Sequence, residues 1–338
     1  MPLTIVVGGF FGDEGKGKVV AYLALRDNPS IAIRCGSVNA GHTVSYRGKT
    51  YKLRLVSTAF VNPNTKIMLP AGSLIRIDVL MKEINETSTH GRVFVDPNAG
   101  VIEPRHIEIE RSDEYLRSVI GSTLQGVGAA MVDRVLRKLR TAKEFDELKP
   151  MLRDVAWEVN EALDRGDNVL VEGVQGTFLS LYHGTYPYVT SRDTTASAFA
   201  SEVGVGPKRV DHVVVVFKAY VTRVGGGPLP NEIPFEEARR RGWIEYGTVT
   251  GRPRRVAPFN IDLAKRAVML NSATQIAITK LDALYPEARN VRRWEELPVE
   301  ARRWIESIEN ELRVPVTLIS TGEDVDAMVD RRKELGIE

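Results

Sequence analysis

The sequence predicts an α/β protein in which helices cover a largely parallel central sheet. Short apolar runs rich in β-branched residues recur between longer segments with helical spacing. The runs are residues 4–7, 31–33, 66–69, 168–171, 212–217, 275–279 and 315–319. Each run is too short and too apolar for a half-exposed strand, so burial on both faces of a parallel sheet is expected.

Helical spacing with charges on the opposite face predicts the elements that cover this sheet. These segments are residues 77–85, 131–139, 151–163 and 301–312, and a further helix is expected to begin near Lys18. The chain has no internal repeat, low-complexity tract or long linker to mark a boundary. We therefore expect one domain over residues 1–338, with small subdomain excursions.

Composition restricts the classes of partner. Among 338 residues, 46 lysines and arginines face 44 acidic residues, and this net charge of +2 argues for neither nucleic acid nor a membrane surface. Cys35 is the single cysteine, which is typical of a reducing compartment. The opening apolar run breaks at Gly8 and Gly9, far short of a signal peptide or membrane span. A cytoplasmic protein is expected.

A glycine-rich loop, residues 8–19, connects the first predicted strand to the first helix. From Gly12 to Lys18 it has the phosphate-loop spacing of glycine, four residues, glycine and lysine. Backbone N–H groups and a helix N-terminus can bind phosphate there. Val19 replaces the Ser or Thr that would hold Mg²⁺, and Asp13 would repel phosphate unless it binds metal or acts as a base. The sequence thus predicts a P-loop-like nucleotide site with a reactive carboxylate.

Two other interpretations of this loop are available. It could be a strand-to-helix turn whose acidic residues only favour the helix N-terminus. It could also bind a dinucleotide, but the Gly-x-Gly-x-x-Gly spacing is absent and the lysines are misplaced for that role. A second loop, residues 34–43, follows the next strand and carries His42, which is either a structural hydrogen-bonding residue or an acid facing phosphate oxygens.

Residues 8–19 together with 39–43 resemble the amino-terminal signature of adenylosuccinate synthetases, which are GTP- and Mg²⁺-dependent ligases that join L-aspartate to IMP in AMP biosynthesis. Further matches follow in consistent order at residues 121–130, 171–177, 183–191, 218–228, 245–255, 279–282 and 320–322. The chain is markedly shorter than bacterial and eukaryotic members, which implies reduced helical insertions. Phe10 and Phe11 replace the usual glutamine and tryptophan, and Leu124 and Gln125 replace glycine and arginine.

The resemblance implies the ligands of each part of the site. The residues implied for IMP are Asp13, Asn39, Thr123, Arg137, Gln175, Thr190, Val224 and Arg252, with Arg137 contributed across a homodimer interface. Those implied for GTP are Gly12, Gly15, Lys16, Gly17, Lys18, Gly41, Thr43, Arg254, Lys280, Asp282, Ser320 and Gly322. Those implied for aspartate are Thr248, Thr250, Gly251 and Arg252. The chemistry of Asp282 agrees, because a carboxylate can accept from both N1–H and the exocyclic amine of guanine.

The implied chemistry has two steps. Asp13 removes the N1 proton of IMP, the C6 oxygen attacks the γ-phosphate of GTP, and His42 stabilises the departing GDP as an acid. The amine of aspartate then displaces phosphate. Lys16 and Gln175 complete the expected catalytic set, and Asp13 with the Gly41 carbonyl is expected to hold Mg²⁺. The alternatives are a GTP-binding regulatory switch, which would not need the IMP residues, and a dinucleotide-dependent dehydrogenase.

Overall fold

A computed structural model describes residues 3–247 and 251–337 of the chain. The strands in this part are β1 (Leu3–Gly8), β2 (Ile31–Arg34), β3 (His42–Tyr46), β4 (Lys49–Leu53), β5 (Lys66–Leu69), β6 (Leu74–Ile75), β7 (Val93–Val95), β8 (Gly100–Val101), β9 (Val169–Glu172), β10 (His212–Lys218), β11 (Tyr220–Arg223), β12 (Arg255–Pro258), β13 (Gln275–Thr279), β14 (Val316–Ser320) and β15 (Met328–Asp330). The α-helices are α1 (Lys16–Asp27), α2 (Ile77–Thr87), α3 (Pro104–Ser112), α4 (Val127–Val135), α5 (Val155–Asp164), α6 (Ala196–Val203), α7 (Phe235–Arg240), α8 (Ile261–Asn271), α9 (Leu281–Leu284) and α10 (Val299–Leu312).

The described residues form a central sheet of nine strands in the order β15-β14-β13-β10-β1-β9-β2-β5-β7. Every neighbouring pair in it is parallel except β14 and β15. All seven predicted strands lie in this sheet, so the α/β prediction is confirmed. The short pairs β3–β4, β6–β8 and β11–β12 lie outside the sheet and are the small excursions.

The helix predictions differ in accuracy. The segments at 77–85 and 301–312 correspond to α2 and α10. The prediction for 151–163 was wrong at its start, because the Asp154 side chain accepts from the Trp157 N–H and caps a helix that begins at Val155. The prediction for 131–139 was wrong at both ends: α4 begins at Val127, and Arg137 has a left-handed φ of 60° just beyond its end.

Alternating side chains of the central strands fill two cores, one on each face of the sheet. Ile5 and Val7 of β1 belong to one core, whereas Val6 belongs to the other. Burying each such side chain contributes about 1.5–3 kcal/mol. The parallel strands therefore hold their carboxyl ends, and the loops that follow β1, β2, β9, β10, β13 and β14, at one edge of a rigid sheet. No helix within the described ranges is long and apolar enough to cross a membrane.

Candidate active site

A cavity of about 390 Å³ lies at the carboxyl edge of β1, β2 and β9. Residues from at least six loops line it, and they include most of those that the sequence predicts for IMP. The predicted residues in its lining are Gly12, Asp13, Lys16, Asn39, Gly41, His42, Thr123, Gln175, Thr190, Val224 and Arg252. The fold therefore brings the IMP and catalytic predictions together, with the exception of Arg137.

In the loop after β1, backbone N–H groups and Lys16 are already paired with a carboxylate of the same segment, Glu14. The Glu14 side chain is buried and accepts from the N–H groups of Phe10 at 3.0 Å and Gly12 at 2.8 Å. Lys16 Nζ donates to Glu14 Oε2 at 2.8 Å and also to the carbonyl oxygen of Gln175. The amides and the lysine that the spacing predicts for phosphate are thus partly held by Glu14.

Asp13 is the carboxylate that the loop presents to the cavity. Its backbone is left-handed, with φ of 63°, and about a quarter (26%) of its side chain is exposed. The Arg254 guanidinium lies 3.0 Å from its Oδ1. Burial raises the pKa of Asp13 above its usual value, although Arg254 and Lys218 oppose that shift. A carboxylate with a raised proton affinity beside a substrate cavity suits a general base.

His42 belongs to a buried group of charges rather than standing alone. Its Nδ1 lies 2.5 Å from Glu172 Oε1, and an Arg34 nitrogen lies 3.5 Å from the same carboxylate oxygen. Burial, together with the charge of Arg34, lowers the pKa of His42 to about 3. Burial opposes ionisation of Glu172, but Arg34, His42 and the Ser57 hydroxyl hold its pKa at about 2. His42 is therefore neutral here, and its Nδ1 lies between Glu172 Oε1 and a nitrogen of Arg34, which is 2.8 Å away.

Gln175 lies at the end of β9 and faces the loop of Asp13. Its Nε2 donates to the Thr190 hydroxyl at 2.8 Å, and within the described chain its buried Oε1 has no hydrogen-bond partner. Gly176 permits close approach here, because a Cβ on it would lie 2.4 Å from the Gly12 nitrogen. An unused acceptor in a cavity wall is a suitable contact for a donor on a ligand.

Two helix-associated loops form the opposite wall of the cavity. The Glu110 carboxylate accepts from the N–H groups of Gly126 and Gly128 at 2.7 and 2.6 Å, which anchors the segment after Thr123. An Arg252 nitrogen donates to the Gly121 carbonyl oxygen at 2.7 Å. Arg252 thereby joins the loop predicted for aspartate to the loop predicted for the IMP phosphate.

A second set of predicted residues lies beyond the cavity, around Lys18. Lys18 Nζ donates to the Ser320 hydroxyl at 2.8 Å and to the carbonyl oxygens of Gly322 and Ala327 at 2.7 and 2.8 Å. Burial lowers the pKa of Lys18 to about 7, although the nearby charge of Asp282 opposes this. The residues predicted for GTP at the ends of β13 and β14 thus lie together, but Lys18 contacts the loop after β14.

The remaining predicted residues occupy three kinds of position. Gly15 and Gly17 lie at the start of α1, where a Cβ on Gly17 would lie 2.9 Å from the Cβ of His42 and 3.2 Å from the carbonyl oxygen of Thr43. Arg137 is exposed and does not line the cavity. Gly251 is exposed with φ of 66°, whereas Thr248 and Thr250 lie outside the described residues.

Four charged residues important to this geometry were not predicted as site residues. Arg34 and Glu172 surround His42, and Lys218 and Glu245 surround Arg254. Three of them end a β-branched strand run, where a charge is otherwise costly to bury. Such a charge at the carboxyl end of a parallel strand is the signal in the sequence that could have identified these three residues.

A P-loop-like turn, a carboxylate of raised pKa in a cavity wall and adjoining buried cations are typical of an α/β enzyme that activates a small substrate with a nucleoside triphosphate. The family model for adenylosuccinate synthetase matches residues 5–145 and 138–288. The chain belongs to the adenylosuccinate synthetase family, ligases that form a carbon–nitrogen bond between IMP and aspartate at the expense of GTP.

Relatives and solved structures agree with this assignment. The chain is 52% identical to adenylosuccinate synthetases of Methanococcus aeolicus and Methanocaldococcus jannaschii, covering 98% of this chain and 100% and 97% of theirs. A fully ligated adenylosuccinate synthetase from Plasmodium falciparum superimposes with a TM-score of 0.91 at 26% identity, covering 98% of this chain and 100% of that one. Cyanophage S-2L succinoaminodeoxyadenylate synthetase, bound to dGMP and dATP, gives 0.82 at 25% identity, covering 99% of this chain and 98% of that one.

Proposed function

We propose that this chain converts IMP, L-aspartate and GTP into adenylosuccinate, GDP and phosphate through a 6-phosphoryl-IMP intermediate. The observation that carries this proposal is the position of Asp13. It is a carboxylate of raised pKa in the wall of a cavity of about 390 Å³, and its charged partner is Arg254, whose guanidinium lies 3.0 Å from its Oδ1.

In the first step, Asp13 accepts the N1 proton of IMP. The electron pair of the broken N1–H bond is delocalised onto the C6 oxygen, which becomes negatively charged. This oxygen attacks the γ-phosphorus of GTP, and GDP departs. Lys16 supplies fixed positive charge beside the loop, and Gln175 is in place to orient the purine through its unused amide oxygen. Thr123, Thr190 and Asn39 bind the rest of IMP, and Val224 contacts the ribose.

His42 acts on the nucleotide. The ring is neutral, and in the tautomer in which Nδ1–H donates to Glu172, Nε2 is the nitrogen that accepts from or donates to a ligand. Phosphate oxygens placed nearby would raise the pKa of His42, because an opposite charge favours the protonated form. The imidazole can then donate to the departing phosphate of GDP, while Glu172 keeps the ring oriented.

In the second step, the amine of aspartate attacks C6 and loses one proton to solvent, while the C6–O bond breaks and its electron pair leaves with phosphate. Arg252 clamps a carboxylate of aspartate in a planar, bidentate way, with Gly251, Thr248 and Thr250 completing that loop. The charges of Arg254 and Lys18, with the Thr43 hydroxyl, bind the triphosphate, and the carboxylate of Asp282 pairs with the guanine edge.

Mg²⁺ fits the donor set of this site. Mg²⁺ prefers hard oxygen ligands, and it is commonly held by one or two carboxylates together with substrate phosphates. Asp13 and the Gly41 carbonyl supply such oxygens beside the loop, and Glu14 is already used by backbone N–H groups. Within the described ranges no cluster of three or more His, Cys, Asp or Glu residues competes for the ion. When bound, Mg²⁺ neutralises charge that develops on the phosphates.

A cytoplasmic homodimer is part of the proposal. Apolar side chains are exposed around α3, the turn after it and α4, namely Ile109, Tyr115, Val119, Val132, Val135 and Leu136. Such a surface is typical of a protein interface. Arg137 follows directly and is free of the cavity of its own chain, as expected for a residue that reaches the IMP site of a partner subunit.

The proposal is tested by mixing the purified chain with IMP, aspartate, GTP and Mg²⁺ and following the ultraviolet change of adenylosuccinate formation. Omitting any one component should abolish the change. A chain that instead hydrolyses GTP without IMP, and forms no adenylosuccinate, would be a regulatory GTPase and would contradict the proposal.

A further inference from the structure

Buried charges beside the cavity form a connected group that we call the Glu245 cluster, consisting of Asp13, Lys218, Tyr220, Glu245 and Arg254. Glu245 Oε2 accepts from Lys218 Nζ at 2.9 Å and from one terminal nitrogen of Arg254. Its Oε1 accepts from the Tyr220 hydroxyl at 2.5 Å. The other terminal nitrogen of Arg254 lies 3.0 Å from Asp13 Oδ1. Arg254 thus bridges two carboxylates.

The two carboxylates differ in how firmly they are held. Glu245 is fixed by Lys218 and Tyr220, whose exposed fractions are 2% and 1%. Lys218 also donates to the Thr222 hydroxyl at 2.6 Å, and the Tyr220 ring stacks on Trp243 with centroids 4.8 Å apart. Asp13 has no comparable packing, because its side chain is 26% exposed into the cavity.

The charges of the cluster balance as two anions and two cations. A buried ion is costly to leave unpaired, so each partner constrains the others. Arg254 has a planar fork that can keep one edge on Glu245 while the other edge exchanges the Asp13 carboxylate for a phosphate oxygen. That exchange frees Asp13 without moving the guanidinium away from the site.

We propose that Glu245 is a positioning residue that keeps Arg254 aimed at the nucleotide while Asp13 is released for proton transfer. The inference rests on the proposed function, in which Arg254 binds phosphate and Asp13 is the base. Without Glu245, Asp13 is the only carboxylate of the cluster left to Arg254, so Arg254 would keep its pairing with Asp13 instead of releasing it. Both nucleotide binding and the use of Asp13 would then suffer.

The first test is Glu245→Gln, which preserves the shape and removes the charge. We expect kcat to fall about 10- to 100-fold and the Kd for GTP, measured by calorimetry, to rise about tenfold, since a charge-assisted contact is lost. The KM for IMP should stay within about twofold. Glu245→Asp, which restores the charge, should recover part of the loss. An unchanged kcat, or tighter GTP binding, would overturn the inference.

The matched control is Glu232→Gln. Glu232 pairs with Arg255, the residue next to Arg254, but that ion pair is about one third exposed and lies outside the cavity lining. The control should therefore leave kcat and GTP affinity unchanged. A loss equal to that of Glu245→Gln would mean that any weakened anchor of this segment has the same effect, and would overturn the specific role of Glu245.

A double variant separates positioning from simple charge balance. Glu245→Gln leaves Lys218 buried without its carboxylate, whereas Lys218→Met combined with Glu245→Gln removes both charges. We expect the double variant to recover thermal stability relative to Glu245→Gln but to retain the low kcat and weak GTP binding. Full recovery of kcat would show that Glu245 serves only to neutralise Lys218. Failure of the proposed function would differ, because the unmodified chain would then form no adenylosuccinate.

Discussion

The two halves of the site are prepared in different ways. On the IMP side, polar groups from separate loops surround a cavity, and at least one of them, the Gln175 amide oxygen, has no partner within the described chain. On the nucleotide side, the cationic groups are already paired with the protein itself: Lys16 with Glu14, Lys18 with the loop after β14, and Arg254 with Asp13. Under the proposed function a triphosphate therefore meets cations that already have partners, and Asp13 is the anion that it displaces.

This difference shows how the chain can keep several lysines and arginines buried at one place. Each cation has a carboxylate or carbonyl partner, which limits the cost of desolvation. Each such partner must be exchanged or retained when a phosphate arrives. Glu14 and Glu245 are the retained anions, and Asp13 is the one that must be released.

The largest expected effect comes from Asp13→Asn, which removes the base shared by the two halves. General-base catalysis is worth about 10²–10⁴-fold, and loss of the carboxylate also removes a metal ligand, so turnover should fall by at least about 10³-fold. Formation of adenylosuccinate measures this, with the melting temperature as a control for folding. A rate near that of the unmodified chain would refute the role of Asp13.

The next effect concerns the pair of His42 and Glu172. His42→Asn should lower kcat about 10²-fold, within the range for general acid catalysis, while leaving the KM for IMP nearly unchanged. Glu172→Gln should act in the same direction, because Nδ1 loses its ionised acceptor. If Glu172→Gln retained full activity, orientation of His42 by the carboxylate would be excluded.

On the nucleotide side alone, Asp282→Asn should lower kcat/KM for GTP about 10²-fold, because an amide cannot accept from both guanine donors. Xanthosine triphosphate offers a carbonyl where guanine has its amine, and it should be used better by the variant than by the unmodified chain. Kinetics with both nucleotides measure the change. A variant that still prefers GTP as strongly would place base recognition elsewhere.

Arg137→Ala tests the IMP side. We expect it to raise the KM for IMP about tenfold or more, because a charged contact to the phosphate is lost. If Arg137 acts across a dimer, mixing this variant with Asp13→Asn should restore activity, since each hybrid dimer contains one intact site. Activity of the mixture is compared with that of each variant alone. Absence of restoration in a mixture shown to exchange subunits would contradict a shared site.

The smallest effect is a pH dependence of stability. The pKa of His42 is about 3 in the folded chain and about 6.5 when unfolded. Between these values the unfolded chain binds the extra proton, so stability falls as pH falls, by up to about 1.4 kcal/mol per pH unit. Glu172, with a folded pKa of about 2, adds to the loss below pH ~4.5.

His42→Gln removes the first of these contributions. The free energy of unfolding, measured with denaturant at pH ~4.5 and ~6.5, should depend less on pH in the variant than in the unmodified chain. Equal dependence in the two proteins would mean that His42 is not held neutral in the folded state.

Much of the fold and of the cavity lining could be predicted because both depend on local sequence. The apolar runs correctly predicted seven of the nine strands of the described sheet. Loops at the ends of these strands meet at one edge of the sheet, which brings Asp13, His42 and Gln175 into one cavity. The sequence analysis did not predict the start of α4, because Gly126 and Gly128 lie there and glycine is unfavourable in helices. It did not predict the end of α4, because Arg137 adopts a left-handed backbone.

The pairing of charges could not be predicted in the same way. Glu172 reaches His42 only because β9 lies beside β2 in the sheet, and the sequence does not state strand order. Glu245 meets Lys218 through a loop that returns to the end of β10. Likewise the sequence does not show that Lys18 contacts the loop after β14.

The central claim is that the C6 oxygen of IMP is phosphorylated before aspartate attacks. The most direct test uses IMP labelled at that oxygen with a heavy isotope and follows the label by mass spectrometry. We predict that one labelled oxygen appears in each phosphate released, together with unlabelled adenylosuccinate. Phosphate without label would contradict transfer of the phosphoryl group to IMP.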